Sequence, residues 1–288
     1  MTRHIQNRIQ DLQRQYHLLA IDKDALLKLL YETEVAEQVY NSNAIENSTL
    51  SLEETDKILQ QINLDRFISE RELFEAKNLA RVVTYIHSKA HHTELSLDMM
   101  LLLHKMLISN IRDEIAGRFR EDGEWVRVGN HIGADPAHVR GMLLEMVANY
   151  KSSGHKPIIQ RIAQFHLTFE YIHPFVDGNG RIGRVLNNYL LIREGHVPIN
   201  IKFIDRSEYY DAFQEFDDDG STRIMEGIVV RSLASSYHKR LAYLEGRKII
   251  SLKEYAKLKK LSHSNLLNKA NRQTIPAFWE KGKWQIGI

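Results

Sequence analysis

The stretch His173–Arg184 reads HPFVDGNGRIGR, and the surrounding chain is organised around it. The preceding residues Arg161–Ile172 place apolar side chains at helical spacing. Pro174 ends that helix, because its ring clashes with the preceding turn and it has no N–H to donate. Val185–Leu191 are apolar enough to form a buried helix. The sequence therefore predicts a loop between two helices, with Gly178–Gly180 at the start of the second helix.

The composition of this loop is suited to binding phosphate. Glycines allow successive backbone N–H groups to converge, and the positive end of a following helix favours an anion. Arg181 and Arg184 lie three residues apart, on one side of the first turn, where both can bind phosphate oxygens. The acidic Asp177 would be compatible with phosphate if Mg²⁺ bridged the two. His173 is the candidate general base, because imidazole titrates near neutral pH.

The alternative is that the loop is purely structural. Asp-Gly-Asn-Gly is an ordinary turn sequence, and two glycines separated by one residue are a weak signal. A plain turn needs neither the histidine nor the two arginines. The residues therefore favour a functional site.

The twelve residues resemble the signature of the Fic family, H-x-F-x-(D/E)-G-N-G-R-x-x-R, and match it at every fixed position. The resemblance extends over most of residues 30–240. It implies transfer of AMP from ATP to a Ser, Thr or Tyr hydroxyl of a target protein or of the chain itself. It makes His173 the base, Phe175 a buried anchor of the loop and Asp177 the Mg²⁺ ligand.

The same resemblance implies a set of nucleotide-binding residues. The glycines and Asn179 would surround the α- and β-phosphates, and the two arginines would hold the β- and γ-phosphates. The full set is Val128, Gly129, Asn130, His131, Asp177, Gly178, Asn179, Gly180, Arg181, Ile182, Gly183, Arg184, Tyr209 and Tyr210. Asp217 stands where relatives often have an asparagine that contacts nucleotide, which leaves that contact open.

A second motif precedes the loop. Ser42–Asn47 resembles the (S/T)-x-x-x-E-(G/N) inhibitory motif of many Fic proteins. The resemblance implies that Glu46 pairs with Arg184 and keeps it from the γ-phosphate. Without the downstream loop, the same residues would be interpreted as a solvated helix end.

Residues 117–139 differ from the helical sequence around them. Trp125, Val126 and Val128 favour strand, and Glu121–Gly123 favours a turn, so a short hairpin is predicted. In the Fic family a hairpin flap at this place lies over the active site and pairs with the backbone of the target. We therefore expect a target protein that presents its hydroxyl in an extended segment.

Composition narrows the class of protein. Hydrophobic residues make up 43% and charged residues 26%, as is usual for a globular protein. No apolar run is long enough for a membrane span and no signal-peptide core is evident, so no membrane partner is expected. The absence of cysteine excludes disulfides and is compatible with a cytoplasmic location.

The last residues have a separate character. From Arg247 onward there are ten Lys or Arg and two Glu, a net charge of +8, against −6 for the preceding residues. Two helices followed by a hairpin resemble winged-helix modules of the excisionase type. Such a module could bind DNA through its basic side chains, or could pack on the body or mediate dimerisation. A homodimer is left open.

The sequence thus predicts a mostly α protein: a Fic-type helical bundle with a β-hairpin flap and a small C-terminal winged-helix-like module. The expected units are an N-terminal helical region at 1–95, a catalytic core at 96–245 and the module at 246–288. Other nucleotidyl or phosphoryl transfer, removal of AMP, and DNA-binding regulation are the alternative functions.

Overall fold

The computed structural model describes residues 3–64, 66–128 and 131–288, and most of them are helical. The α-helices are α1 (Arg3–Ala20), α2 (Asp24–Ile45), α3 (Leu52–Leu59), α4 (Glu70–Lys89), α5 (Leu97–Ile108), α6 (Pro136–Ser152), α7 (Ile158–Ile172), α8 (Asn179–Arg193), α9 (Arg206–Asp219), α10 (Arg223–Leu244), α11 (Leu252–Lys259) and α12 (His263–Asn271). The strands are β1 (Arg127–Val128), β2 (His131–Ile132), β3 (Ile249–Ser251), β4 (Ala277–Glu280) and β5 (Lys283–Gly287). The predicted mostly α class is confirmed.

Several helices begin where the sequence has a capping residue. Ser51 and Glu54 form a reciprocal capping box at the start of α3. The Ser251 and Ser262 hydroxyls accept hydrogen bonds from backbone N–H groups at the starts of α11 and α12. Local polar residues therefore fix where these helices start.

One hydrophobic core runs through the body of the molecule. It extends from Ile9 and Leu12 on α1 to Leu241 on α10, and Phe169 on α7 and Leu186 on α8 are fully buried within it. The core joins the predicted N-terminal region to the predicted catalytic core, and the boundary between them at residue 95 stays a prediction. The central pair α7–α8 carries the HPFVDGNGRIGR loop at its turn.

The predicted hairpin is present but shorter than expected. Within the part of the hairpin that the structure describes, Arg127–Val128 pair with His131–Ile132 in antiparallel register. Trp125 and Val126 precede the paired residues, and the Trp125 side chain is exposed. A single exposed aromatic residue is thus a poor marker of strand when no sheet covers it.

The C-terminal residues form a three-stranded antiparallel sheet in the order β3-β5-β4, with α11 and α12 inserted between β3 and β4. Their own apolar cluster includes Leu252, Leu266 and Trp284. The hairpin expected after the two helices is present, and Lys281 and Gly282 at its turn both have the positive φ that a tight hairpin requires. Strand β3 was not predicted. The winged-helix assignment stays a prediction.

Among the helices of the described residues, we find none that combines the length and the apolar character needed to span a bilayer.

Candidate active site

The loop between α7 and α8 is held by its own side chains. Helix α7 ends at Ile172, and His173 adopts a left-handed conformation with φ of 50°. Phe175 N–H donates to Asn179 Oδ1 over 2.8 Å, and Asn179 Nδ2 donates back to the Phe175 carbonyl over 2.7 Å. The Asn179 side chain is thus used to close the loop. The N–H groups of the first turn of α8 have no helical carbonyl to bind and remain available for an anion.

Phe175 anchors the loop in the core. Its ring is fully buried and stacks on His104, with ring centroids 3.8 Å apart. Gly117 N–H donates to His104 Nδ1, so His104 Nε2 carries the proton and donates to the Asp177 carbonyl over 3.0 Å. Burial lowers the pKa of His104 to about 4. This histidine is therefore a neutral support of the loop.

His173 has the geometry of a general base. Its Nδ1 lies 3.2 Å from the Glu170 carbonyl oxygen, an acceptor, so Nδ1 holds the proton and the Nε2 lone pair is free. Burial lowers the pKa of His173 to about 4, although the hydrogen bond to the Glu170 carbonyl and the charge of Glu46 raise it. The imidazole is therefore neutral at pH 7 and able to accept a proton.

Arg120 connects this loop to the hairpin. Its buried guanidinium donates to the carbonyls of His173, Glu124, Ala134 and Ile172. These bonds fix the base of the hairpin against the end of α7. Arg120 was not predicted as a functional residue, because nothing in its local sequence pattern distinguishes it from a surface arginine.

Asp177 lies between two arginines. Its Oδ2 is 2.9 Å from Arg71 Nη2 and its Oδ1 is 3.0 Å from Arg181 Nη2. Burial raises the pKa of Asp177, but the two guanidiniums outweigh it and hold the pKa below its usual value. Arg181 also pairs with Glu75 at 3.0 Å. The described residues contain no group of three or more His, Cys, Asp or Glu that could hold a metal.

Arg184 is enclosed by α2 and α9. Its Nε and Nη2 donate to the Ser42 hydroxyl and carbonyl over 2.9 and 2.8 Å, and its Nη1 donates to the Tyr209 hydroxyl over 3.2 Å. Its Nη2 also lies 2.9 Å from Glu46 Oε1. The Ser42 contacts were not predicted, although Ser42 is the first residue of the motif that contains Glu46.

The Glu46 carboxylate lies over the start of α8. A Cβ added to Gly180 would stand 2.2 Å from Glu46 Oε1, so only glycine allows this approach. The carboxylate thus occupies a position next to a helix N-terminus and a buried arginine, both of which favour anions. A phosphate bound at the same place would meet a fixed negative charge.

The remaining predicted site residues surround this centre. Val128 is in β1, and Gly129 and Asn130 lie outside the described residues. His131 Nε2 donates to the Tyr171 carbonyl over 2.8 Å, and its Nδ1 lies 3.7 Å from Asp217 Oδ2. Asp217 therefore faces the hairpin.

The two tyrosines of α9 have different environments. Tyr209 is buried beneath Arg184, and its hydroxyl also lies 2.8 Å from His166 Nε2. Tyr210 is 36% exposed beside Arg206. Ile182 and Gly183 are buried in α8, where the Glu170 carboxylate approaches Gly183. Contact of these four residues with nucleotide stays a prediction.

Comparison with known sequences gives a consistent result. Residues 94–191 match the model of the Fic/DOC family. A protein adenylyltransferase fic-1 from Caenorhabditis briggsae is 34% identical over 192 residues, which are 65% of this chain and 37% of that protein. Protein adenylyltransferase Fic from Drosophila melanogaster is 29% identical over 264 residues, 87% of this chain and 52% of that protein. The chain spans about half or less of the length of these relatives.

Solved structures share the fold. A Fic domain containing signaling protein from Bacteroides thetaiotaomicron superposes with a TM-score of 0.75 at 22% identity, covering 83% of this chain and 97% of that one. Fic-1 (residues 134–508) from Caenorhabditis elegans superposes with a TM-score of 0.74 at 26% identity, covering 85% of this chain and 73% of that one. The arrangement of helices around the loop is therefore that of Fic-domain proteins.

Proposed function

We propose that this chain, whose residues 94–191 match the Fic/DOC family model, is a protein adenylyltransferase of that family that transfers AMP from ATP to a hydroxyl of a target protein. The observation that carries the proposal is the position of a neutral, largely buried His173 next to two arginines and a helix N-terminus that has no side-chain cap. The names of its relatives favour AMP transfer over other phosphoryl chemistry on the same loop.

In the proposed reaction His173 Nε2 takes the proton of a Ser, Thr or Tyr hydroxyl. The hydroxyl oxygen then attacks the α-phosphorus of ATP. The bond between the α-phosphorus and its bridging oxygen breaks, and pyrophosphate leaves with the electron pair. The N–H groups at the start of α8, together with Arg181 and Arg184, stabilise the charge that develops on the phosphates.

The residues present fit a single Mg²⁺ ion. Mg²⁺ is usually held by one or two carboxylates together with phosphates and waters, and Asp177 provides one carboxylate at the edge of the phosphate site. Each Asp177 oxygen keeps a lone pair beyond its arginine contact. Bound there, the ion would offset charge on the leaving pyrophosphate.

The hairpin supplies the proposed binding surface for the target. Strands β1 and β2 pair only with each other among the described residues, so the sheet has open edges. An extended segment can add to such an edge through backbone hydrogen bonds. The target would thereby present its hydroxyl next to His173.

We further propose that Glu46 inhibits the wild-type protein. Its carboxylate binds Arg184 and lies over Gly180, where the β- and γ-phosphates need to be. Like-charge repulsion and the loss of Arg184 would leave ATP bound with its α-phosphate misaligned, and a misplacement of about 1 Å can cost roughly 10²-fold in rate. Substitution of Glu46 would relieve both effects.

The test is incubation of wild type and Glu46→Gly with ATP labelled on the α-phosphate, followed by mass spectrometry. We expect AMP on the Glu46→Gly protein itself and on lysate proteins, with far less for wild type, and loss of transfer with EDTA. The exposed Glu53→Gly is the control and should behave as wild type. Adducts of another mass, or none in either protein, would contradict AMP transfer.

A further inference from the structure

A cavity with both polar and apolar walls lies between α2, the segment before α9, α10 and the C-terminal sheet. Its volume is about 50 Å³, enough for a few water-sized groups. Its walls include Glu37 of α2, Asp205, Lys239 of α10, and Trp279 and Trp284 of the sheet. It lies away from the phosphate loop, and the proposed reaction does not use it.

The charges around this cavity do not balance. Lys239 lies 2.9 Å from Glu280 and 3.4 Å from Glu34, and Arg240 lies 2.7 Å from Glu34. Two further pairs border the cavity, Lys202–Asp205 and Arg231–Glu208. Counting Glu37, five carboxylates therefore lie in or beside the cavity against four cations, and Glu280, Glu208 and Arg240 of this group do not line it. Glu37 is the acid with no ion pair among the described residues.

Glu37 is buried as well as unpaired. It is 6% exposed, and its Oε1 has no hydrogen-bond partner among the described residues. Burial raises the pKa of Glu37 to about 7, although Lys239 and the backbone N–H of Lys281 lower it. A buried carboxylate oxygen without a donor is unfavourable, so a donor that reached it from the cavity would be favoured.

We propose that this cavity binds a small organic cation with N–H donors, a guanidinium or primary ammonium group, against Glu37. The carboxylate supplies the missing counter-charge and acceptor. The indole rings of Trp279 and Trp284 supply a wall that attracts cations, since the Lys202 ammonium already lies 5.4 and 4.6 Å from their centroids. A neutral ligand of the same shape could still donate hydrogen bonds to Glu37, but it would lack the charge that attracts a cation to the carboxylate and to the indole rings.

The position of Glu37 connects the cavity to the inhibitory contact, and this step rests on the proposed function. Glu37 and Glu46 belong to the same helix and its C-cap, about 14 Å apart along the axis. A cation bound between α2, α10 and the sheet stabilises α2 in its present position, in which Glu46 is paired with Arg184. A ligand that binds only the conformation with α2 in this position therefore lowers the fraction of molecules in which α2 has moved away.

Binding is tested directly by calorimetry on the full chain, with methylguanidinium chloride as the probe and methylurea, its neutral isostere, as the matched ligand. We expect saturable binding of methylguanidinium that Glu37→Gln weakens about tenfold or more, because a charged hydrogen bond is lost. Glu32→Gln on an exposed part of α2 is the control and should bind as wild type.

The site is disproved if methylguanidinium shows no saturable binding up to about 10 mM. Equal affinity for methylurea, or an unchanged affinity in Glu37→Gln, disproves it too. A melting curve of each variant shows whether it is folded, and Glu37→Asp is the second variant if Glu37→Gln is not.

The effect on regulation is measured as AMP transfer. At a ligand concentration ten times the Kd, we expect transfer by wild type to fall about tenfold, with Glu46→Gly unaffected. If the ligand left AMP transfer by the wild type unchanged, the regulatory role of the cavity would be disproved, although the binding measured by calorimetry would still hold. Inactivity of Glu46→Gly without ligand would instead overturn the proposed function, and the calorimetric result is independent of that outcome.

Discussion

Among single residues, His173 is the one whose loss should separate chemistry from nucleotide binding. In the Glu46→Gly background, His173→Ala should lower AMP transfer by roughly 10²–10⁴, the usual contribution of a general base. ATP affinity should change little, because the imidazole faces the target hydroxyl. The measurement is transfer of labelled AMP together with calorimetric ATP binding.

The exposed His155→Ala is the matched control for this substitution. It should leave both transfer and ATP affinity unchanged. Transfer that persists at the parental rate in His173→Ala would remove this histidine from the mechanism.

The residues of the loop could be identified from sequence because they are contiguous. His173, Phe175, Asp177 and the arginines occur within twelve positions, and their types already specify phosphate chemistry. Arg120 could not be identified, because its role depends on carbonyl groups of His173 and Ile172 that are over fifty residues away. A sequence pattern carries no information about such distant backbone partners.

For the helices, the central question is how α2 acts on α8. Glu46→Gly should raise auto-modification strongly, and Arg184→Ala should prevent that gain. If Glu46 acts by holding Arg184, the double variant lacks the inhibitor but also the group that binds the γ-phosphate. We therefore expect it to be nearly as inactive as wild type.

The measurement is AMP transfer by wild type, the two single variants and the double variant. Because the residues are in contact, their effects should be strongly non-additive. Additive effects, with the double variant retaining most of the gain, would mean that Glu46 inhibits by some route other than Arg184.

The secondary-structure elements were predictable to the extent that their signals are local. Ser51, Ser251 and Ser262 mark helix starts in the sequence and in the structure. Strand β3 was missed because Ile249–Ser251 is three residues long and becomes a strand only by pairing with β5. Pairing between distant segments is a property of the fold and not of the segment.

At the scale of the whole molecule, the C-terminal sheet is tied to the body more closely than its charge suggested. The net charge of +8 after Arg247 favoured a separate module. Lys239 of α10 nevertheless joins Glu34 of α2 to Glu280 of β4 through buried ion pairs. The net charge of a segment cannot reveal such buried ion pairs, because most of the charges counted are on solvated side chains.

The distribution of buried titratable groups predicts how stability depends on pH. Burial lowers the pKa of five histidines to about 3 or 4, namely His104, His166, His173, His196 and His238. Each is neutral in the folded protein and charges more readily when unfolded. Their contribution to stability is present above pH 6.5 and is lost as pH falls from 6.5 towards 4.

Two carboxyl groups have the opposite effect. Burial raises the pKa of Glu170 to about 8 and that of Glu37 to about 7, so the folded state binds their protons more tightly than the unfolded state. Stability should therefore rise as pH falls from 9 to about 7. Below pH 6.5 the proton uptake of five histidines on unfolding exceeds the proton release of two carboxyls. The unfolded state then binds up to three more protons than the folded state, and each lowers the free energy of unfolding by about 1.4 kcal/mol per pH unit.

We accordingly expect the free energy of unfolding to peak near pH 7 and to fall by about 2–4 kcal/mol by pH 5.5. The measurement is urea unfolding of the wild type at half-unit steps between pH 5 and 9. Glu170→Gln keeps the shape of the side chain but cannot ionise, so it should reduce the loss on the alkaline side and make the fall on the acid side steeper, because its proton uptake no longer offsets that of the histidines. A stability that stays level from pH 7 to 5.5 would mean that the buried histidines are protonated in the folded protein, and His173 would then not be the neutral base that the proposed reaction requires.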